Sequence, residues 1–267
     1  MPLPFLPDGS TCAVIGMLHV PALPGTPRHD RSLAEITDMV LEEAAVYADS
    51  GVDAVMLENM HDVPYLRGEV GPEITASMTS VAQQVGEVFP GPVGVQVLAG
   101  ANQEALAVAL AAGLQFVRVE GFVFGHVADE GWLDASAGPL LRYRRQIGAD
   151  HVAVLADIKK KHSAHAVTSD VSLAETAQAA AFCGADGVIV TGGSTGEAAQ
   201  PDDLLTTQAA TSLPVLVGSG VNSDNVHDYR QADGLIVGSS LKVGGAWDAA
   251  LDPARLAEFL DKVALIR

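Results

Sequence analysis

The chain has 267 residues, 48% of them hydrophobic, and this length matches one complete α/β barrel, for which about 250 residues is usual. Its 15 Lys and Arg stand against 33 Asp and Glu, and the resulting formal charge of −18 repels nucleic acid and anionic membrane surfaces. These two classes of partner are therefore excluded, and an anionic ligand would have to be held by a local site.

The first residues and the cysteines indicate a cytoplasmic protein. Residues 1–10 contain three prolines and no basic residue, a composition that does not fit a signal peptide. No apolar run approaches the roughly 18 residues needed to cross a bilayer, so we expect no membrane insertion. Cys12 and Cys183 lie in apolar contexts, which are typical of buried thiols in a reducing compartment.

Eight short apolar runs alternate with eight helical stretches along the chain. The runs are rich in Val, Ile and Leu and lack polar alternation, which is typical of strands covered on both faces. The predicted strands are Ala13–Leu18, Ala54–Leu57, Val93–Leu98, Phe116–Val119, Val152–Ala156, Gly187–Val190, Val215–Val217 and Gly234–Val237. The predicted helices are Leu33–Asp49, Glu73–Val88, Gln103–Ala112, Pro139–Ile147, Ser172–Phe182, Asp202–Ala210, Asn225–Gln231 and Pro253–Val263.

This alternation predicts a closed (β/α)8 TIM barrel, a single domain over residues 1–267 with residues 1–10 as an N-terminal extension. The alternative, an open doubly wound sheet that binds a dinucleotide, is disfavoured because no Gly-x-Gly-x-x-Gly follows the first strand. We also expect a homo-oligomer, since the apolar helices of barrels commonly pair.

Loop lengths predict which end of the barrel carries the functional site. Connections from helix to strand are tight, whereas four connections from strand to helix are long: His19–Arg31, Asn59–Pro72, Gly121–Gly138 and Ile158–Asp170. Barrels keep their chemistry in the loops that follow the strands, so the carboxyl end is the predicted functional face.

Asp157 and Lys159 are the strongest catalytic candidates. Residues two apart on a strand point to the same side, so their charged ends should meet at the mouth. A carboxylate there can hold Lys159 as a proton donor or shift it towards use as a base. The alternative is an ion pair that fills the top of the barrel. Lys159 is also the inward lysine that a Schiff-base aldolase would need.

Other ionisable residues end neighbouring strands. Glu58 and Glu120, together with Asp157, are predicted to supply a general base or to bind a divalent cation through oxygen ligands. His19 immediately follows the first strand and is either catalytic or hydrogen-bonded in a packed loop. The remaining polar or small residues at the mouth are predicted to bind ligand: Asn59, Gln96, Arg118, His162, Thr191 and Gly192. No motif in the sequence requires a cofactor.

Two glycine-serine segments near the C-terminus predict a phosphate site. Gly218-Ser219-Gly220 and Gly238-Ser239 each end an apolar run. Small residues leave backbone N–H groups uncovered, and several such groups together bind an anion. The last two strands of a TIM barrel often carry such a site, and Lys242 follows it here. The alternative is two tight turns that need glycine.

Several of these segments resemble the BtpA/SgcQ family. The resemblance runs from about Thr11 to Leu265 and is carried by the segments VIGMLHVPALPG (14–25), LENM (57–60), ADIK (156–159), TG (191–192) and VGSGV (217–221). It implies a TIM barrel related to the ribulose-phosphate-binding barrels. The family is named for photosystem I biogenesis, but it has members in organisms without photosynthesis, and no common reaction is established for it. Asp157-x-Lys159 also resembles an element of phosphate-sugar decarboxylases, although His162 stands where those enzymes carry an Asp.

Two hypotheses for function follow. In the first, the protein is a lyase, aldolase or isomerase that acts on a small phosphorylated sugar or nucleoside-like metabolite. The glycine-serine segments hold the phosphate, Asp157 and Lys159 transfer protons, and the other residues of the mouth orient the substrate. In the second, it is a biogenesis or assembly factor of the photosystem I type that kept a vestigial phosphate site. The enzyme hypothesis is favoured because burying so many ionisable groups lowers stability, and a scaffold does not need such groups.

Overall fold

The computed structural model describes residues 3–6, 11–192 and 198–267. The strands are β1 (Ala13–His19), β2 (Ala54–Glu58), β3 (Val93–Gln96), β4 (Phe116–Val119), β5 (His126–Ala128), β6 (Gly131–Leu133), β7 (Ala153–Asp157), β8 (Ser163–Ala164), β9 (Gly187–Val190), β10 (Val215–Val217) and β11 (Gly234–Val237). Eight of them form a closed parallel barrel in the order β1-β11-β10-β9-β7-β4-β3-β2. Ala13 of β1 lies opposite Gly234 of β11, so the first and last strands join. The predicted TIM barrel is confirmed.

In the described part of the chain, seven α-helices surround the barrel. They are α1 (Leu33–Ser50), α2 (Pro72–Val88), α3 (Asn102–Ala112), α4 (Ala137–Gln146), α5 (Leu173–Phe182), α6 (Pro201–Ala210) and α7 (Pro253–Ala264). Capping boxes begin two of them, Ser32 with Glu35 at α1 and Ser172 with Glu175 at α5.

The predicted helix over Asn225–Gln231 is wrong, because the chain forms only a 3₁₀ turn at Val226–Tyr229 there. The side chain of Asn222 accepts from the backbone N–H groups of Asp224 and Asn225, at 2.9 and 3.2 Å. This is the geometry of a helix N-cap, but only the four-residue 3₁₀ turn follows it.

The barrel interior is filled by alternate residues of the strands. Ile15 and Met17 of β1 point inward and pack with inward residues of the other strands, whereas their neighbours pack against the helices. The described part of the N-terminal extension closes the lower end of the barrel. Leu3 is buried there, and the ring of Phe5 stacks on Phe116 at 4.2 Å between centroids. The inner core therefore fills the lower part of the barrel.

Four of the connections from helix to strand end in the same kind of hydrogen-bonded link. Asp53, Gln115, Asp186 and Asp233 immediately precede β2, β4, β9 and β11. Each accepts through its side chain from the backbone N–H of a residue in the preceding barrel strand, at 2.7–2.8 Å. Its own backbone N–H donates to the carbonyl of that same residue. The link recurs at every second connection, so the barrel is built from four similar pairs of strands.

A small antiparallel sheet lies over the mouth, where the sequence predicts only long loops. β5 pairs with β6 on one side and with β8 on the other. The sheet joins the loop after β4 to the loop after β7, and both loops carry predicted site residues. It holds these two loops together beside the mouth.

Candidate active site at the carboxyl end of the barrel

Buried polar side chains at the carboxyl ends of the strands line a cavity of about 710 Å³. A barrel strand ends with its last inward residue facing the mouth, which explains why polar residues occur at these positions. The predicted site residues that line the cavity are His19, Glu58, Gln96, Arg118, Glu120, His162, Gly218, Ser219, Gly220, Gly238 and Ser239. Asn59, Asp157, Lys159, Thr191 and Gly192 do not line it.

Asp157 is held by Arg118 beneath the cavity. Nη2 of Arg118 lies 3.0 Å from Oδ1 of Asp157, and Nε donates to both carboxylate oxygens at 3.1 and 3.2 Å. Burial raises the pKa of Asp157, and the guanidinium opposes that rise. The predicted ion pair of Asp157 is therefore made with Arg118 and not with Lys159. This pair orients the guanidinium towards the cavity.

A second ion pair joins Lys160 to Glu120. Nζ of Lys160 lies 2.9 Å from Oε2 of Glu120, and both side chains are buried. Oε1 of Glu120 accepts from Nε2 of Gln96 at 3.1 Å. Both oxygens of this carboxylate are therefore engaged, which fixes its orientation.

The two lysines on either side of Lys160 lie in different places. β7 ends at Asp157, and Lys159 adopts a φ of +46°, so the strand alternation stops there. Nζ of Lys159 donates to the carbonyl of Thr168 at 3.3 Å, and Lys159 borders a separate space of about 20 Å³ together with Asp157. Lys161 lines the large cavity instead. Burial and the charge of Arg118 lower the pKa of Lys161.

His19 and Glu58 lie next to each other at the ends of β1 and β2. Nδ1 of His19 is 2.8 Å from the carbonyl of Trp247, and Nε2 is 3.9 Å from Oε2 of Glu58. Burial lowers the pKa of His19 to about 3, so the ring is neutral at neutral pH. A neutral ring that donates from Nδ1 leaves Nε2 as an acceptor. Burial raises the pKa of Glu58.

Asn59 links loops instead of facing the cavity. Its Nδ2 donates to Asp62 at 2.7 Å, and its Oδ1 accepts from the backbone N–H of Leu98 at 2.7 Å. Asp62 in turn accepts from the backbone N–H of Leu23 at 2.8 Å. The predicted ligand contact of Asn59 is not supported, because both ends of its amide are used. The segments VIGMLHVPALPG and LENM are joined by this network.

The two glycine-serine segments lie side by side at the mouth, but Gly218 does not present its backbone N–H group as predicted. The backbone N–H of Gly218 donates to the carbonyl of Val190 at 2.8 Å, so it is not available to an anion. A Cβ at Gly218 would lie 2.5 Å from Cγ2 of Ile189 and 3.2 Å from Nη2 of Arg118, so a larger residue would clash with Ile189 and crowd the guanidinium. Among the described residues, no group accepts from the backbone N–H of Gly220, Ser239 or Ser240.

Contacts around Ser240 hold these segments together. Its hydroxyl donates to the carbonyl of Val221 at 2.6 Å, and its own carbonyl accepts from Nε of Arg255 at 2.8 Å. Arg255 lines the cavity and brings a cation to this side. Lys242 does not take this role, because its Nζ binds Glu43 at 3.0 Å and is buried away from the mouth.

The remaining predicted residues lie at the edges of the site. Oγ1 of Thr191 accepts from the backbone N–H of Lys161 at 3.1 Å and so positions the lysine loop. Gly192 is the last described residue before the gap at 193–197. Burial and the charge of Lys161 lower the pKa of His162.

The carboxylates are not arranged around a metal position. Within residues 3–6, 11–192 and 198–267, no three His, Cys, Asp or Glu residues are close enough to hold a metal ion. Asp157 and Glu120 are each paired with a cation instead. The divalent-cation site predicted from Glu58, Glu120 and Asp157 therefore has no support in the described structure.

Sequence reasoning missed four residues of the site: Lys160, Lys161, Trp247 and Arg255. The run of three consecutive lysines could have pointed to Lys160 and Lys161, but it does not show which way each side chain faces. Trp247 and Arg255 follow the last strand, and no sequence motif marks them. Their place in the site depends on closure of the barrel, which brings the segment after β11 next to β1.

Comparison with known proteins places the chain in a family. The family model described as the BtpA family matches residues 10–265. The chain belongs to the BtpA family. A mitochondrial protein of Caenorhabditis elegans, named as uncharacterized, is 48% identical and aligns over 97% of this chain and 96% of its own. The Photosystem I biogenesis protein BtpA of Synechocystis is 36% identical over 94% of this chain and 88% of its own.

Solved structures of the same fold are far more distant in sequence. Phosphoribosylanthranilate isomerase from Thermotoga maritima superposes with a TM-score of 0.57 at 13% identity, over 95% of this chain and 98% of its own. Orotidine 5′-monophosphate decarboxylase from Methanocaldococcus jannaschii gives a TM-score of 0.57 at 14% identity, over 95% and 100%. At these identities the likeness establishes the fold.

No helix among the described residues has the length and apolar character needed to cross a membrane. The nematode relative is named mitochondrial, so the cytoplasmic location expected from the sequence stays a prediction.

Proposed function

We propose that this BtpA-family protein is an enzyme that acts on a small phosphorylated sugar or nucleoside-like metabolite. The reaction is of the lyase, aldolase or isomerase type. The observation that carries the proposal is the cavity of about 710 Å³, which combines two kinds of lining. Uncovered backbone N–H groups follow β10 and β11, whereas acid, base and cationic side chains come from β1 to β4 and from the loop after β7.

The β10–β11 side is suited to a phosphate group. Backbone N–H groups of Gly220, Ser239 and Ser240 bind an anion without adding net charge, and Arg255 adds a cation at the rim. A local site of this kind is what a chain of formal charge −18 needs, because its overall field repels anions. Two solved structures with this fold are named for phosphorylated substrates, which agrees with the proposal.

The opposite side is suited to proton transfer. His19 presents an unprotonated Nε2, and Glu58 retains a proton more readily than an exposed glutamate does. A positioned acid or base of this kind contributes about 10²–10⁴-fold to a rate. We propose Glu58 and His19 as the acid–base pair, Arg118 as a substrate contact that Asp157 positions, and Lys161 in place of Lys159 as the lysine of the site.

The second candidate function is that of an assembly factor with a vestigial site. The observation that favours it is the 36% identity with a protein named for photosystem I biogenesis. Its weakness is the burial of five or more ionisable groups around one cavity, which lowers stability and which an assembly factor has no evident need to retain. The enzyme remains the favoured function.

Titration calorimetry with ribose 5-phosphate and ribose tests the phosphate part of the proposal. We expect the wild-type protein to bind the phosphorylated sugar more tightly, since each hydrogen bond to a charged group contributes about 1.5–3 kcal/mol. Gly220→Asp should abolish that preference, because a carboxylate among the uncovered N–H groups opposes the phosphate.

Gly113→Asp is the matched control. Gly113 has a φ of +70° and Gly220 a φ of +69°, so both substitutions carry the same backbone strain, but Gly113 ends α3 at the far end of the barrel. The control should keep the preference for ribose 5-phosphate. If the wild-type protein binds the two sugars equally, the glycines serve only the turns and the phosphate site is refuted.

A further inference from the structure

The three consecutive lysines after β7 have three different surroundings. Nζ of Lys159 donates to a backbone carbonyl outside the large cavity, and Nζ of Lys160 is paired with the carboxylate of Glu120. Lys161 lines the cavity, and among the described residues its Nζ has no hydrogen-bond acceptor and no carboxylate within 4.0 Å. A lysine amine without a partner, turned towards a substrate cavity, is available for chemistry.

The surroundings of Lys161 favour a neutral amine. The side chain is partly buried, and this burial together with the nearby guanidinium of Arg118 lowers the pKa of Lys161. The carboxylates around the cavity act in the opposite direction without cancelling the shift. A neutral amine is a nucleophile, whereas an ammonium is not. Asp157 and Glu120 form their ion pairs with Arg118 and Lys160, so Lys161 is not the ion-pair partner of either carboxylate.

We propose that Lys161 forms an imine with the aldehyde or ketone carbonyl of a phosphorylated sugar in its open-chain form. This inference rests on the proposed function and names its substrate class. The loop contacts place the backbone of Lys161 next to β10, and its side chain lines the same cavity as Gly220 and Ser239. The backbone N–H of Lys161 is held by Oγ1 of Thr191, and Cγ2 of Thr191 would lie 3.4 Å from a Cβ at Gly218.

The covalent step balances without a further reactant. The lone pair of Nζ attacks the carbonyl carbon, and the carbonyl π electrons move to oxygen, which takes a proton and gives a carbinolamine. Nitrogen loses its first proton in forming the carbinolamine. The hydroxyl group is then protonated and leaves as water while the nitrogen lone pair forms the C=N bond, and nitrogen releases its second proton. Lysine amine and carbonyl thus yield imine and one water, with no change in oxidation state. Glu58 faces the same cavity and burial raises its pKa, so it is suited to protonate the leaving hydroxyl.

Borohydride trapping tests the proposal with the full-length protein. The protein is incubated with dihydroxyacetone phosphate or with ribose 5-phosphate, and sodium borohydride then reduces any imine to a stable secondary amine. We expect a covalent adduct in the intact mass spectrum, and peptide mapping should locate it at Lys161. Sorbitol 6-phosphate carries the phosphate but has no carbonyl, so it should give no adduct and should reduce labelling by the other two sugars.

Two variants control the experiment. Lys161→Met should lose the adduct, whereas Lys262→Met, which changes an exposed lysine on α7, should label as the wild-type protein does. The location of the adduct in the wild-type protein is informative even if Lys161→Met does not fold. An adduct at Lys159 or Lys160, or undiminished labelling of folded Lys161→Met, would overturn the proposal.

Calorimetry separates this inference from the proposed function. If ribose 5-phosphate binds in preference to ribose but no adduct forms with either phosphorylated carbonyl sugar, the imine is refuted and the phosphate site stands. If unphosphorylated dihydroxyacetone labels Lys161 as fully as its phosphate does, the imine stands and the phosphate site is refuted.

Discussion

A single backbone angle decides which lysine reaches the cavity. The sequence predicts that Asp157 and Lys159 point the same way, because residues two apart do so on a strand. β7 ends at Asp157, and the positive φ of Lys159 turns its side chain towards Thr168. Lys161 then enters the cavity. The sequence therefore predicts a lysine at the mouth, but side-chain direction beyond a strand end depends on a dihedral angle that no periodicity reports.

His19 should make stability depend on pH. Its pKa lies at about 3 in the folded protein, against an ordinary value of 6.5. Between these two pKa values His19 is protonated in the unfolded chain but not in the folded protein. Its contribution to stability is therefore fully present above pH 6.5 and is lost as the pH falls towards 3. We expect His19→Gln to make this fall shallower, by up to about 1.4 kcal/mol per pH unit for one proton. Urea unfolding over this pH range measures the slope.

A second buried histidine contributes in the same direction and remains in the variant. Burial lowers the pKa of His126 to about 4, so some dependence on pH should persist in His19→Gln. His227→Gln, at an exposed histidine, controls for the loss of an imidazole. An unchanged slope in His19→Gln would mean that His19 binds protons alike in the folded and unfolded states.

At the scale of elements, the sequence predicts what regular patterns determine. The barrel strands are apolar on both faces, and helix starts such as Ser32 carry cap signals, so both were predicted close to their observed bounds. β5 and β6 have three residues each, too few for a periodic pattern, and the sequence predicts a loop there. The sheet over the mouth was missed for this reason.

The repeated link between paired strands gives a test at this scale. Oδ2 of Asp186 accepts from the backbone N–H of Val154 at 2.8 Å. Asp186→Ala leaves that N–H without its acceptor, so we expect the free energy of unfolding to fall by about 1–3 kcal/mol. Denaturant titration measures the loss.

Asp186→Asn is the matched variant because it keeps an oxygen acceptor. It weakens only the partly exposed ion pair with Arg144, which is worth about 0–1 kcal/mol. If the two variants lose the same stability, the link to Val154 contributes nothing beyond the ion pair.

At the scale of the whole molecule, charge and exposed apolar surface affect association. Phe182, at the end of α5, is 92% exposed. The homo-oligomer stays a prediction. The formal charge of −18 is spread over a protein whose proposed ligand is also anionic, so the whole-protein field and the local site act in opposite directions.

This opposition predicts an unusual dependence of binding rate on salt. The Debye length falls from about 30 Å at 0.01 M to about 10 Å at 0.1 M, so added KCl screens distant surface carboxylates before it affects groups within the cavity. We expect the association rate of ribose 5-phosphate to rise over this range of KCl concentration, whereas that of neutral ribose should not change. In Trp132→Phe, Trp247 is the single tryptophan and lines the cavity, so stopped-flow fluorescence can follow binding. A rate that falls with salt would mean that the local field of Arg255, Arg118 and Lys161 extends beyond the mouth and attracts the ligand despite the net charge.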